Sequence, residues 1–276
     1  MDGRVTGRIE RSPRRGRADI EGGPASYLSM GQGGVPALLL HGFAGDSLTW
    51  QFNAAALAAD RRVLAVDLPG HGSSTLEVGD GRVGAFAPWL LRLLDALEIP
   101  RVHAVGHSMG GYVALELARL APERVASLSL IASAGLGPDF DLEFLRRVAA
   151  LETVEEGRDC AARLFARPWL LAGRVGEVMH AQAADPRRRA ALERIIAGSF
   201  AEAHRSPGPV DWTAFPMPIQ LLWGREDRII PVPSADRLPP AAPLHLFDKA
   251  GHLPHSEAAT PVTAILRDFL SACDHQ

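Results

Sequence analysis

A hydroxyl, an imidazole and a carboxylate stand in this sequence at spacings that could do chemistry. Ser108 lies in V-G-H-S-M-G-G (residues 105–111), Asp227 in R-E-D-R-I-I-P and His252 in G-H-L-P-H-S-E. A serine hydroxyl is a poor nucleophile at neutral pH; it needs a base within hydrogen-bond reach and an acid to orient that base. Ser108, Asp227 and His252 supply the set. Glu226 competes with Asp227 for the acidic role and His255 with His252 for the basic one, with His255 expected at the entrance or packed beside the base. Attack on a carbonyl creates an oxyanion that requires preorganised donors. The backbone N–H of Met109, directly after the serine, is one candidate, and the N–H of Phe43 in L-L-L-H-G-F-A-G-D is the other. Such a site needs neither a metal nor a cofactor.

The elements that must position these groups follow from the apolar pattern. Short, continuously apolar runs at 37–40, 62–67, 102–106, 125–132, 218–224 and 244–248 read as buried parallel strands. Between them, Trp89, Leu90, Leu93, Leu94 and Leu97, and then Val113, Leu115, Leu117 and Leu120, recur at helical spacing. Strands alternating with helices predict an α/β fold, a mostly parallel sheet flanked by helices. Ser108 then falls on a strand-to-helix turn, where Gly106 and Gly110 leave room for a sharp bend and Gly111 lets helix and sheet approach. Asp227 and His252 fall in the loops after two later strands, so all three groups sit at strand ends on one side of the sheet. His41 and His107 flank glycine turns and are expected to be structural; His71, in D-L-P-G-H-G-S-S, is expected to shape its loop.

The strand rhythm breaks between 136 and 215, where the pattern is helical throughout. This predicts a helical cap inserted between a first core part (25–135) and a second (216–276), with residues 205–212 returning the chain to the sheet. A closing helix is expected near 260–272, with Pro261 in its first turn and Val262, Ile265, Phe269 and Leu270 facing inward. Residues 1–24 carry Arg4, Arg8, Arg11, Arg14, Arg15 and Arg17, interrupted by Asp2, Glu10 and Asp19. They read as a solvated basic lead-in, partly disordered, with room for one short strand.

Composition excludes several classes. A net charge of -3 supplies no general field for nucleic acid or anionic membrane. Cys160 and Cys273 are too few and too far apart for a disulfide framework or a CxxC metal pair. The single lysine, Lys249, sits in no carrier, P-loop or Schiff-base context. No apolar run approaches a membrane span or a secretory core, so a cytoplasmic protein is expected, as a monomer or homodimer acting on a small molecule.

The segments L-L-L-H-G-F-A-G-D-S-L-T-W, V-D-L-P-G-H-G-S-S, V-G-H-S-M-G-G-Y-V-A-L, L-L-W-G-R-E-D-R-I-I-P and A-G-H-L-P-H-S-E together resemble the α/β-hydrolase superfamily from about residue 25 to 272. The order Ser, Asp, His is that of the superfamily. Within it, H-G-F-A-G-D-S-L-T-W-Q-F-N, R-R-V-L-A-V-D-L-P-G-H-G-S-S and R-V-A-S-L-S-L-I-A-S-A-G-L-G-P look like the hydrolase-fold domain of the acyltransferase component of acetoin dehydrogenase complexes. Relatives of that component usually carry an N-terminal lipoyl domain; no such segment and no lysine to bear a lipoyl group are found here. The resemblance implies an α/β-hydrolase fold and a serine esterase of small-to-medium acyl chains. Acyl transfer, thioester cleavage and carbon–carbon bond hydrolysis use the same three residues and stay open, as does a hydrolase-fold protein that binds a small ligand without turnover. In the cap, Phe140, Phe144, Leu164, Phe165, Trp169, Leu170 and Met179 are expected to line an apolar pocket or to form the cap's own core.

Overall fold

The buried apolar runs assemble into one sheet. The computed structural model describes residues 12–137, 139–201 and 210–274. Its strands are β1 (Arg14–Ala18), β2 (Ala25–Met30), β3 (Ala37–Leu40), β4 (Val63–Val66), β5 (Val102–His107), β6 (Val125–Ile131), β7 (Ile219–Gly224) and β8 (Leu244–Phe247). Their spatial order is β1-β2-β4-β3-β5-β6-β7-β8. From β4 onward every pairing is parallel, while β1 with β2 and β2 with β4 are antiparallel.

All six strands expected from the apolar runs are present, and every residue of β3, β4, β5 and β6 is buried. Two strands come from outside those runs. β1 lies in the Arg-rich lead-in, whose Arg4, Arg8 and Arg11 are outside the described residues. β2, A-S-Y-L-S-M, is interrupted by Ser26 and Ser29 and partly open, which suits an antiparallel strand near the sheet edge and sets it apart from the continuously apolar runs.

Side chains alternate between the faces of a strand. Leu38, Leu40, Leu64, Val66 and Ala104 point to one core, which includes Trp89, Leu90, Leu93 and Leu94 of α2 (Phe86–Ala96) and Val113, Ala114 and Leu117 of α3 (Met109–Leu120). Ala37, Leu39, Val63, Ala65 and Val105 point to the other, packed on Leu57 of α1 (Ala54–Leu57) and on Val262, Leu266 and Leu270 of the closing helix. Between β6 and β7 the described residues form the α-helices α4 (Leu142–Ala149), α5 (Val154–Ala162), α6 (Pro168–Ala184) and α7 (Pro186–Ile195). α5 and α6 approach at Gly157 and Gly176, where a Cβ on either would collide with the other's backbone. Of the expected return loop at 205–212, residues 205–209 lie outside the described part. α8 (Pro254–Glu257) and α9 (Ala259–Cys273) close the chain. Behind α9, buried Arg61 donates to both carboxylate oxygens of Asp274 at 3.1 Å. No helix of the described residues is long and apolar enough to cross a membrane.

Candidate active site

β5 delivers Ser108 into a turn that few residues tolerate. Ser108 has φ 53° and ψ -119°, a left-handed conformation that costs an L-residue on the order of 1–3 kcal/mol. The surroundings hold it there. Ser108 N–H donates to Ile131 C=O at the end of β6 (3.0 Å), and Ser108 C=O accepts from Gly111 N–H (2.9 Å) and Ala134 N–H (3.0 Å). The glycines make the turn possible: a Cβ at Gly106 would strike the backbone of Gly110 and Gly111, and one at Gly110 would strike the carbonyls of Leu40 and His41. Because α3 begins at Met109, the Met109 N–H belongs to the first turn and has no intrahelical acceptor.

The loops after β7 and β8 bring the other two groups together. His252 Nδ1–H donates to Asp227 Oδ2 at 2.8 Å, with both side chains almost wholly buried. The other oxygen, Asp227 Oδ1, accepts from Ile229 N–H (2.9 Å) and Ile230 N–H (3.0 Å). Two backbone donors thus fix the carboxylate, the carboxylate fixes the imidazole tautomer, and Nε2 is left with its lone pair. Of the two competing acids, Asp227 makes this contact. His252 N–H is tied to Leu164 C=O (2.8 Å), and Ser108 and His252 line one cavity.

The loop after β3 forms the facing wall. Gly42 stands close to Ser108: a Cβ on it would lie 3.1 Å from Ser108 Cβ and 2.9 Å from His107 Nδ1. Phe43 lines the cavity, and among the described residues its N–H makes no hydrogen bond. Below the loop, His41 and His71 are fully buried and neutral. His41 Nδ1–H donates to Gly42 C=O (2.8 Å) while its Nε2 accepts from Leu68 N–H (3.0 Å). Burial depresses the His41 pKa and, helped by the nearby His41, brings that of His71 down to about 3. Asp67 accepts from Ser47 N–H and Ser73 N–H, both at 2.9 Å. Burial works to raise its pKa, but these bonds outweigh it and hold the carboxyl below its usual range. His107 Nε2–H donates to His252 C=O (2.8 Å), and burial, with His255 and His252 beside it, keeps its pKa well below 6.5.

The cavity measures about 210 Å³. Phe144, Leu145, Leu164, Leu171, Val175, Val178 and Met179 give it an apolar wall from the inserted helices, and Arg174 and Asp46 are its charged members. Phe144, Leu164 and Met179 are therefore where a pocket requires them. Five other expected pocket residues are not. Phe165 is 1% exposed and belongs to the core; Phe140 packs edge-on against Phe200 at 5.6 Å; Trp169 is 76% exposed, its side chain directed to solvent. His255 is completely buried between Trp50 (4.7 Å) and His107 (4.6 Å), with His107 in turn against His252, and it does not line the cavity. Burial takes its pKa down to about 3. Leu170, also expected in the pocket, is 58% exposed.

Glu257 is a supporting residue without a sequence signal of its own. It accepts from Gly251 N–H (2.6 Å), Ala166 N–H (3.1 Å) and Arg167 N–H (3.0 Å), tying the His252 loop to the start of α6. An acidic residue five positions after a histidine is unremarked in sequence; only the approach of 166–167 gives it a role. Among the described residues, no group of three or more His, Cys, Asp or Glu is placed to hold a metal ion.

Residues 37–265 match the model of the alpha/beta hydrolase family. The dihydrolipoyllysine-residue acetyltransferase component of the acetoin cleaving system of Pseudomonas putida is 38% identical over 94% of this chain and 70% of its own length. The 2-hydroxymuconate semialdehyde hydrolase of Pseudomonas putida is 31% identical over 96% of this chain and 97% of its own. Among solved structures, a thermophilic esterase from Thermogutta terrifontis superimposes with a TM-score of 0.78 at 26% identity, covering 95% of this chain and 99% of that one. With the family model spanning most of its length and Ser108 set on a glycine-lined strand-to-helix turn, this chain belongs to the α/β-hydrolase family.

Proposed function

We propose that the protein hydrolyses carboxylic esters of small-to-medium acyl chains through a serine acyl-enzyme. The observation that carries this reading is the strained Ser108 turn in the same cavity as a His252 whose Nδ1–H is committed to Asp227. His252 Nε2 takes the Ser108 Oγ proton as Oγ bonds to the ester carbon, and the carbonyl oxygen becomes an oxyanion between the N–H groups of Phe43 and Met109. Collapse re-forms the carbonyl and breaks the bond to the alcohol oxygen, which leaves with the proton from Nε2. Water then repeats the sequence on the acyl-enzyme and releases the acid. Asp227 stabilises the imidazolium at both stages. The apolar wall around Phe144, Val175 and Met179 suits an aliphatic or aromatic acyl group.

A second reading is acyl transfer to a thiol or thioester cleavage, favoured by the 38% identity to the acetyltransferase component. Both share the acyl-enzyme: acyl transfer differs in the acceptor that attacks it, thioester cleavage in the thiol that leaves when it forms. The similarity to the semialdehyde hydrolase favours carbon–carbon hydrolysis on the same residues.

Initial rates on p-nitrophenyl esters from acetate to dodecanoate, with Ser108→Ala in parallel and water compared with added thiol as acceptor, test these readings. Turnover lost in the variant and unaffected by thiol supports the esterase. Acceleration by thiol moves the assignment to acyl transfer. Absence of turnover in the folded protein refutes the esterase and turns attention to carbon–carbon substrates and to ligand binding alone.

A further inference from the structure

The turn that presents Phe43 to the nucleophile has an unusual residue at its bend. Gly45 N–H donates to Gly42 C=O (3.1 Å), closing a four-residue turn whose third position, Ala44, has φ 54°. Turns of that shape ordinarily place glycine there. An alanine in the left-handed region is held against a cost of roughly 1–2 kcal/mol. Ala44 N–H donates to His71 Nε2 at 3.0 Å, and His71 Nδ1–H donates to Pro69 C=O at 2.9 Å. The Pro69 carbonyl therefore sets the tautomer that gives Nε2 a lone pair for Ala44. Both residues are buried, and the His71 ring meets Phe43 edge-on at 6.1 Å and His41 at 5.0 Å. His41, Asp67 and Arg188 are the charged or titratable neighbours of His71.

We propose that His71 is a positioning residue for the oxyanion site, fixing the orientation of the Phe43–Ala44 peptide by accepting from Ala44 N–H. The inference rests on the serine-hydrolase reading above. With the acceptor removed, Ala44 N–H is a buried donor without a partner, and the peptide can rotate to return Ala44 to right-handed backbone. Gly42, Phe43 and Ala44 line the same cavity as Ser108, with room at Gly42 for no side chain, so a small rotation re-aims the Phe43 N–H away from the developing oxyanion. The loss falls on the transition state and spares ground-state binding.

The test compares His71→Phe, which keeps a planar ring and removes the acceptor, with His71→Gln, whose side-chain carbonyl reaches the Nε2 position. The measurements are kcat and KM on a p-nitrophenyl ester, per active site titrated, and inhibition by an alkyl trifluoromethyl ketone, whose adduct places an oxyanion in the site. In His71→Phe, kcat should fall on the order of 10- to 100-fold with KM within about threefold, and ketone inhibition should weaken by the same factor. His71→Gln should recover most of both. A merely structural role would lower the melting temperature of both variants and leave kcat per titrated site alone. A folded His71→Phe with kcat within about twofold of wild type, or a His71→Gln as impaired as the Phe variant, overturns the proposal. If His71→Phe does not fold, two-bond 1H–15N correlation of the wild-type histidines decides. His71 should be protonated at Nδ1 and unchanged between about pH 8 and 5, and an Nε2-protonated or titrating His71 overturns it. Absence of Ser108-dependent ester turnover in wild type would remove the parent reading, whereas turnover insensitive to His71→Phe would remove this inference alone.

Discussion

Replacing Asp227 by asparagine should do more damage than the loss of one charge suggests, because the structure dictates which way the amide will face. Asp227 Oδ1 receives two backbone N–H groups, from Ile229 and Ile230, at 2.9 and 3.0 Å. An asparagine must keep its carbonyl there. Turning its NH2 to those donors would forfeit two hydrogen bonds of about 1 kcal/mol each and leave buried donors unpaired at about 1–3 kcal/mol apiece, several kcal/mol in all. The NH2 therefore occupies the Oδ2 position and donates to His252 Nδ1, which now has to be the acceptor. The imidazole proton moves to Nε2, and the nitrogen that should take the Ser108 proton has none of its lone pair left. On the proposed mechanism this lowers kcat on the order of 10^4-fold, equivalent to about 5.4 kcal/mol of barrier. The fold should be nearly untouched, because shape and the two backbone bonds are retained. The assay is kcat/KM of Asp227→Asn on the preferred p-nitrophenyl ester, beside His252→Ala as a floor and thermal melting as a control for folding. An Asp227→Asn enzyme with more than about one-hundredth of wild-type kcat/KM and an unchanged melting temperature would refute this chain of tautomer control.

Gly110→Ala drives a Cβ against the Leu40 carbonyl and to within 2.5 Å of His41 O, so β3 and the elbow must separate. Overpacking of this kind costs about 1–3 kcal/mol, and the displaced serine should lose roughly 100-fold in kcat; a variant within twofold of wild type in rate would argue against the tight elbow. Glu257→Gln substitutes an amide donor for one of two oxygens that receive Gly251, Ala166 and Arg167 N–H groups, and should lower the melting temperature and kcat together. Unchanged values in melting and steady-state assays would show that the His252 loop does not lean on α6. Folded His71 and His255 have pKa values of about 3, below the ordinary 6.5, so the unfolded chain binds more protons as pH falls. The stability they contribute is whole above about pH 6.5 and lost by about 2 kcal/mol each at pH 5, which thermal melts at pH 7.5 and 5 should register as a drop on the order of 10 °C, and equal melting temperatures would contradict it.

What could be read without coordinates was whatever the backbone alone imposes. Parallel strands buried on both faces must be continuously apolar, so β3 through β7 stand out, whereas A-S-Y-L-S-M of β2, antiparallel and half open, does not. The Ser108 turn is legible because Gly106 and Gly110 have no alternative: any side chain there meets backbone. Asp227 and His252 follow from counting loops after strands. The cavity wall is another matter. Helical periodicity tells which residues of α4 to α6 turn away from solvent, but a bundle lying over a sheet has several inward directions. Phe144 and Phe165 are both buried, yet only Phe144 reaches the cavity. Trp169, the largest apolar side chain at the start of α6, points to solvent. His255 has the same chemistry as His252 three residues earlier, and only Trp50 and His107, brought from distant segments, show that it is enclosed.

That division follows how the site is held. Ser108 is bonded to the end of β6, Asp227 to its own loop backbone, and the Phe43 turn to His71, so the groups assigned to chemistry are fixed from the sheet side by backbone hydrogen bonds. The inserted segment reaches the same cavity through side chains, and its polar ties to the His252 loop and α8 are Leu164 C=O to His252 N–H, the Glu257 carboxylate to residues 166 and 167, and the Arg167 guanidinium to Glu257 C=O. On the proposed mechanism, substitutions in the apolar wall, at Phe144, Val175 or Met179, can therefore alter which acyl group fits without moving Ser108 or His252. On the same mechanism, substitutions in the glycines, in Asp227 or in His71 change the reaction itself. Swapping Phe144 or Met179 for alanine should shift the preferred chain length and leave kcat on the best ester within a few-fold, because the hydrogen bonds that hold Ser108, His252 and the Phe43 turn involve neither side chain.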